Sequence, residues 1–262
     1  MVYIHNINPV MISIGYIDLY WYGAMYAISF LLIDYMMKRD IRLARTSFNN
    51  NLTDKILLFS IISLLIGGRL GYIIFYDFNY YLLNPMKVGF IWEGGMSFHG
   101  GLIGVILGIS YISKKDKIGF FKLSDFIIPY VPIGLGLGRI GNFINGELYG
   151  LPTNANWGIV FPHIDSLPRH PSMLYEFFFE GLVLFFILRY FASRNNPTGV
   201  VSSLFLIFYS IFRFLIEFAR VPDIQIGYLY NDWFTMGQFL SLPMLIFGIM
   251  LLYISSRGKK IL

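Results

Sequence analysis

The sequence predicts an all-α integral membrane protein, a single polytopic domain over residues 1–262 with about seven transmembrane helices. Three observations lead there. The first is composition: 56% of residues are hydrophobic and 13% charged, and the mean hydropathy is +0.62, where a soluble domain carries about 25% charged residues. The second is run length. A span needs about 20 mostly apolar residues, and segments near 19–37, 56–76, 97–113, 123–141, 173–192, 199–219 and 234–255 meet that need, the third being short. The third is charge placement. Lys38, Arg39, Arg42, Arg45 and Lys55 follow the first run, Lys114, Lys115, Lys117 and Lys122 the third, Arg189 and Arg194 the fifth, and Arg257, Lys259 and Lys260 the seventh. The alternate loops carry only Lys87, Arg169 and Arg220. Because basic residues stay in the cytoplasm, the N-terminus is expected outside and the C-terminus inside.

Taken in order, residues 1–18 contain no Lys or Arg and so lack the positive start of a cleavable signal peptide. The first apolar run is expected to stay in the mature protein. It opens on Trp21-Tyr22-Gly23, where Tyr22 reads locally as an interfacial belt residue. In the second run, Arg69 lies in the outer half, either paired with another helix or holding an anionic ligand. The third run begins Ser97-Phe98-His99. His99 is either an interfacial histidine or a general base or phosphate ligand. Gly100, Gly104 and Gly108 recur every fourth residue, a small-residue packing stripe.

The fourth run leads into the stretch around which the chain is organised, from Gly134 through Arg139, Asn142, Asn145 and Glu147 to Gly150. It sets an arginine and two asparagines at the edge of a span, where a charge is costly and marks a functional site. Residues 142–171 are too long for a bare connection and are expected to form a small extracytoplasmic cap. Glu176 and Glu180 follow, four apart, with nothing local to give them a role. Arg213, Glu217 and Arg220 fall on one helix face at i, i+4 and i+7. Arg213 and Glu217 can neutralise each other. With Arg139 counted, the arginines outnumber that glutamate, and the excess predicts an anionic partner such as a lipid phosphate.

Several chemistries are set aside. Gly136-Leu-Gly138-Arg-Ile-Gly141 matches a dinucleotide fingerprint, but that pattern carries meaning only between a strand and a helix of a βαβ unit. No G-x-S-x-G elbow or H-E-x-x-H pair occurs, and cysteine is absent, so no serine intermediate, metal, cofactor or protein thiolate is expected.

These stretches together resemble the bacterial prolipoprotein diacylglyceryl transferase family. The shared motifs are Ser97-Phe98-His99-Gly100-Gly101, Gly138-Arg139-Ile-Gly-Asn142-Phe-Ile-Asn145-Gly-Glu147, Arg169-His170-Pro171-Ser172, Leu174-Tyr175-Glu176, and Phe212-Arg213 through Glu217, Arg220 and Pro222-Asp223. The resemblance implies a seven-span fold in the bacterial inner membrane. It also implies transfer of diacylglyceryl from phosphatidylglycerol to the lipobox cysteine of a prolipoprotein signal peptide, with glycerol 1-phosphate released. Carried over by position, the residues that matter are Tyr22, His99, Arg139, Asn142, Glu147, Gly150, Arg213 and Glu217. His99, Arg139 and Arg213 are then expected to be catalytic. The lipid head group is expected to meet Tyr22, Arg139, Asn142, Glu147, Gly150 and Glu217, joined by Arg69 and Arg220 from their own positions. Nucleic acid is not an expected partner. The rival readings are a transporter or channel for an anionic solute and a structural lipid-binding protein. A transporter favours inverted repeats and mid-membrane polar groups, and neither is evident.

Overall fold

The computed structural model describes residues 2–90, 94–222 and 227–257, apart from the side chains of Ile17 and Phe98. Asp223, Lys259 and Lys260 lie outside the described residues. Helix occupies every one of the seven apolar stretches. Among the described residues, four helical stretches, at Asn50–Tyr76, Phe120–Asn145, Val200–Ala219 and Met236–Ser256, are long and apolar enough to cross a membrane. The chain divides into two compact units, one of residues 1–36 with 125–261 and one of residues 37–124. Helix α1 (Trp21–Arg42) runs from the first into the second.

The smaller unit is built on α2 (Asn50–Tyr76) and α4 (Phe98–Lys115), joined through α3 (Phe78–Leu83) and a 3₁₀ turn at Pro85–Gly89. Asn49 starts α2 by accepting the Leu52 N–H at 2.9 Å, satisfying a first-turn donor. The glycine stripe on α4 packs as expected. A Cβ at Gly100 would lie 2.3 Å from the Gly67 carbonyl oxygen, and one at Gly104 2.1 Å from that of Ser63. Two backbones in contact leave no room for a methyl group.

In the larger unit, the fourth apolar stretch is two helices, α5 (Phe120–Ile127) and α6 (Val131–Asn145), separated by a 3₁₀ turn. Pro129 and Pro132 cause the break, since each lacks the N–H that would continue the α ladder. Gly146, at φ +70°, ends α6 by donating back to the Phe143 carbonyl at 3.0 Å, a left-handed cap that glycine adopts without strain. The fifth stretch is α7 (Ser172–Glu176), a π segment (Phe177–Val183) and α8 (Leu184–Ala192). The sixth is α9 (Val200–Ile216) with a closing 3₁₀ turn to Ala219, and the seventh is α10 (Met236–Ser256). Asp125 caps α9 from another helix, accepting from the N–H groups of Gly199 and Ser202 at 2.6 and 2.8 Å. Leu184, Leu188, Val200, Val201 and Leu204 form the core between α8 and α9.

The fold is mostly helical, as expected, with a few short strands outside the helices. Strand β1 (Tyr3–Ile4) pairs parallel with β4 (Ile159–Val160), which pairs antiparallel with β5 (Pro168–Arg169). Hairpins β2–β3 (Val10–Ile14, Ile17–Tyr20) and β6–β7 (Tyr228–Tyr230, Phe234–Thr235) are separate. Strands of two to five residues are too short to show an alternating pattern. Phe161 is fully buried and packs with Ile159 and Met173 against Phe143 and Tyr149. His5 and His163 meet the last carbonyls of α6, at Phe143 (2.7 Å) and Gly146 (3.0 Å). Arg169 donates to Asp165 at 2.5 and 3.2 Å, which holds that carboxyl below its ordinary range.

Candidate active site

Helices α6 and α9, with Arg220 just past the turn that closes α9, bring three positive charges to one carboxylate in the larger unit. Glu176, the last residue of α7, is wholly buried. Its Oε2 lies 3.0 Å from Arg139 Nε, and its Oε1 accepts from Arg220 Nη1 at 3.0 Å and from Arg213 Nη1. Glu217 stands beside it. Its Oε1 lies 2.5 Å from Arg213 Nη2 and 3.9 Å from Arg220 Nε, and its Oε2 accepts from Thr235 Oγ1 at 2.7 Å. The i, i+4, i+7 spacing on α9 and its closing turn makes this geometry possible. Glu180, in the π segment, lies 3.9 Å from Arg139 Nη2, and neither of its oxygens makes a hydrogen bond among the described residues.

Small residues make room for these contacts. A Cβ at Gly181 would lie 2.9 Å from the Gly136 Cα, so this pair lets α6 come close to the π segment, one turn before Arg139. A Cβ at Gly237 would lie 2.5 Å from the Glu217 Cδ. π segments are often found at functional sites, and here the segment follows directly on the hub carboxylate.

From Arg139 the network continues along α6. Arg139 Nη1 donates to Asn142 Oδ1 at 3.4 Å. Asn142 and Asn145 donate to the two oxygens of Glu147 at 3.2 and 3.0 Å. Tyr22 packs its ring on Gly141, where a Cβ would lie 2.7 Å from its Cδ2, and its hydroxyl is 3.1 Å from that of Tyr26. Gly150 donates to the His170 carbonyl at 2.8 Å and bridges Arg220. A Cβ there would lie 2.3 Å from the Ala219 carbonyl oxygen, so only glycine fits.

Thus the larger unit gathers Tyr22, Arg139, Asn142, Glu147, Gly150, Arg213, Glu217 and Arg220. Arg69 and His99 belong to the smaller unit. His99 is exposed in the first turn of α4, which Ser97 caps by accepting the Gly100 N–H at 3.3 Å. Arg69 is 4% exposed and donates to five backbone carbonyls, those of Lys87, Val88, Phe90, Gly94 and Gly95.

The expected excess of positive charge is corrected. Arg139, Arg213 and Arg220 face three carboxylates, Glu176, Glu180 and Glu217, because a buried ion left unpaired costs several kcal/mol. Glu176 and Glu180 were missed as partners; the one signal was their four-residue spacing within an apolar run. Thr235 and Gly237 carried no local signal. The network is still polarised. Side-chain exposure is 20% for Arg139 and 16% for Arg213, against 0% for Glu176 and Glu180 and 4% for Glu217. Arg139 and Arg213 therefore form the accessible edge, with the carboxylates and Arg220, at 9%, as the buried backing, an arrangement suited to an anion.

A family model described as prolipoprotein diacylglyceryl transferase matches residues 9–254. The chain belongs to that family. Among relatives in the prolipoprotein diacylglyceryl transferase family, the phosphatidylglycerol–prolipoprotein diacylglyceryl transferase of Methylococcus capsulatus is 49% identical over 247 residues, covering 94% of each chain. The enzymes of the same name from Nitratidesulfovibrio vulgaris and Geobacter sulfurreducens are each 47% identical, covering 94% and 97% of both chains.

Proposed function

We propose that this chain is a phosphatidylglycerol–prolipoprotein diacylglyceryl transferase. It moves the diacylglyceryl group from phosphatidylglycerol to the lipobox cysteine thiol of a prolipoprotein signal peptide. A carbon–sulfur bond forms at the glycerol carbon that carried the phosphate, and the carbon–oxygen bond to that phosphate breaks. The products are a thioether and glycerol 1-phosphate. The thiol proton leaves with a base, and the displacement balances without a cofactor.

The observation that carries this reading is the partly exposed guanidinium edge of Arg139 and Arg213 over a buried carboxylate layer. Its bidentate donors suit the phosphodiester of an anionic lipid and the extra charge that develops as the phosphate departs. Tyr22, Asn142, Glu147, Gly150, Glu217 and Arg220 hold this edge in place or border it. His99 is read as the base that takes the thiol proton, a contribution of about 10²–10⁴-fold.

The proposal includes a seven-span topology in the inner membrane, N-terminus out and C-terminus in, with the active site outside and residues 142–171 as its cap. It treats the whole chain as one polytopic domain. The test mixes purified protein, phosphatidylglycerol vesicles and a lipobox peptide. A diacylglyceryl mass gain on the cysteine is expected, lost in Arg139→Ala and absent when the peptide cysteine is serine. Unmodified peptide, or full turnover by Arg139→Ala, would overturn the reading.

A further inference from the structure

Sequence position alone makes Arg69 a candidate ligand for the lipid phosphate. Its geometry points elsewhere. A guanidinium has five N–H donors, and Arg69 places them on five carbonyl oxygens: Nε on Val88 at 2.9 Å, Nη1 on Gly94 and Gly95 at 2.5 and 3.3 Å, and Nη2 on Lys87 and Phe90 at 2.6 and 3.2 Å. Its central carbon lies 5.0 Å from the Tyr81 ring centroid. Its donors are therefore engaged by the chain's own backbone, and the charge is met by carbonyl dipoles.

The surrounding glycines are shaped for this. Gly94 and Gly95 sit at φ +87° and +75°, which turns their carbonyls toward the guanidinium. A Cβ at Gly95 would lie 2.8 Å from the Tyr72 ring and 3.0 Å from Arg69 Nη1. The neighbouring residue on α2, Gly68, accepts the Ser97 N–H at 2.9 Å. Ser97 is the cap of α4, and His99 is two residues on.

We infer that Arg69 is a positioning residue that, by tying the backbone of Lys87, Val88 and Phe90 to that of Gly94 and Gly95, fixes the start of α4 and hence the place of His99. This rests on the base role given to His99 above. It makes Arg69 a distant requirement of the chemical step, with no contact to the lipid.

The decisive variant is Arg69→Lys, which keeps the charge but offers three donors in place of five. In the transfer assay kcat should fall about 10- to 100-fold, the scale of a modest misplacement of a reacting group, while KM for phosphatidylglycerol stays within about twofold. Placed on His99→Ala, Arg69→Lys should cost less than about a further twofold, because both changes remove the same contribution. Amide exchange of a peptide spanning 84–97 should quicken at least about tenfold as the stapled backbone opens. A large rise in KM at preserved kcat would make Arg69 a head-group ligand and overturn the inference. Losses that multiply in the double variant, or unchanged amide exchange, would overturn it too. Should His99→Ala keep full kcat while exchange quickens in Arg69→Lys, the failure lies in the base assignment, and the staple stands without the catalytic consequence.

Discussion

Glu176 accepts from Arg213 and Arg220 and forms an ion pair with Arg139 on α6, with none of its surface exposed. Its neutral counterpart would leave those cations facing two carboxylates. Removing one partner of a buried ion pair costs about 3–5 kcal/mol, since the other charge stays desolvated. Glu176→Gln is therefore expected to lower stability by at least that range in detergent denaturation. Loss of any single arginine should cost less, because the others keep the carboxylate paired. A change below about 1 kcal/mol would show that Glu176 is not the hub. Little of this was legible in the chain. Arg213, Glu217 and Arg220 announce their shared face through helical spacing. Glu176 meets Arg139 and Arg213 across 37 residues on either side, and contacts at that separation have no period to betray them. Arg69 shows the converse: its place in an apolar run is visible, but the five carbonyls that consume it lie in a 3₁₀ turn and the residues between it and α4, which carry no periodic pattern.

At the scale of elements, apolar runs located the helices well because membrane burial writes hydrophobicity along the whole length. They missed how those helices are interrupted. The Pro129 turn leaves the two halves of its stretch helical, and the π segment on α7 has no compositional mark. Glycine gives two opposite predictions here. A methyl group added at Gly104 would stand 2.1 Å from the Ser63 carbonyl oxygen, whereas one added at Gly134 meets nothing within 4 Å. Gly104→Ala should destabilise the α2–α4 pair by about 1–3 kcal/mol through overpacking. Gly134→Ala should be neutral or stabilise by up to about 1 kcal/mol, as helix propensity favours alanine. Equal effects of the two in a detergent melt would refute the packing account. In the proposed cap, the hydrogen bond from Arg169 holds the Asp165 carboxyl below its ordinary range. A folded-state pKa below the unfolded one means the stabilisation is present above the unfolded value, about 3.9, and is lost as pH falls through the folded one. Asp165→Asn should remove that share of the acid sensitivity and leave the neutral-pH fold intact, read as a smaller drop in midpoint between neutral pH and about pH 3.

For the whole molecule, the proposed orientation rests on the alternation of basic loops, a force that acts during insertion and leaves no mark on a folded chain. The proposed chemistry depends on it, since a secreted thiol can reach only a site outside the cytoplasm. The chain contains no cysteine, so single reporters can be read without background. Asn154 and Ser47 are both exposed, the first within the proposed cap and the second in the basic segment after α1. In spheroplasts, a membrane-impermeant maleimide should label Asn154→Cys directly and Ser47→Cys only after lysis. Neither residue takes part in the arginine–glutamate network, so transfer activity should persist and certify the fold. The opposite labelling pattern in active protein would place the cap in the cytoplasm. The arginine edge would then face a compartment where the lipobox cysteine does not arrive, and the inside-to-outside logic that links loop charge to thiol transfer would fail.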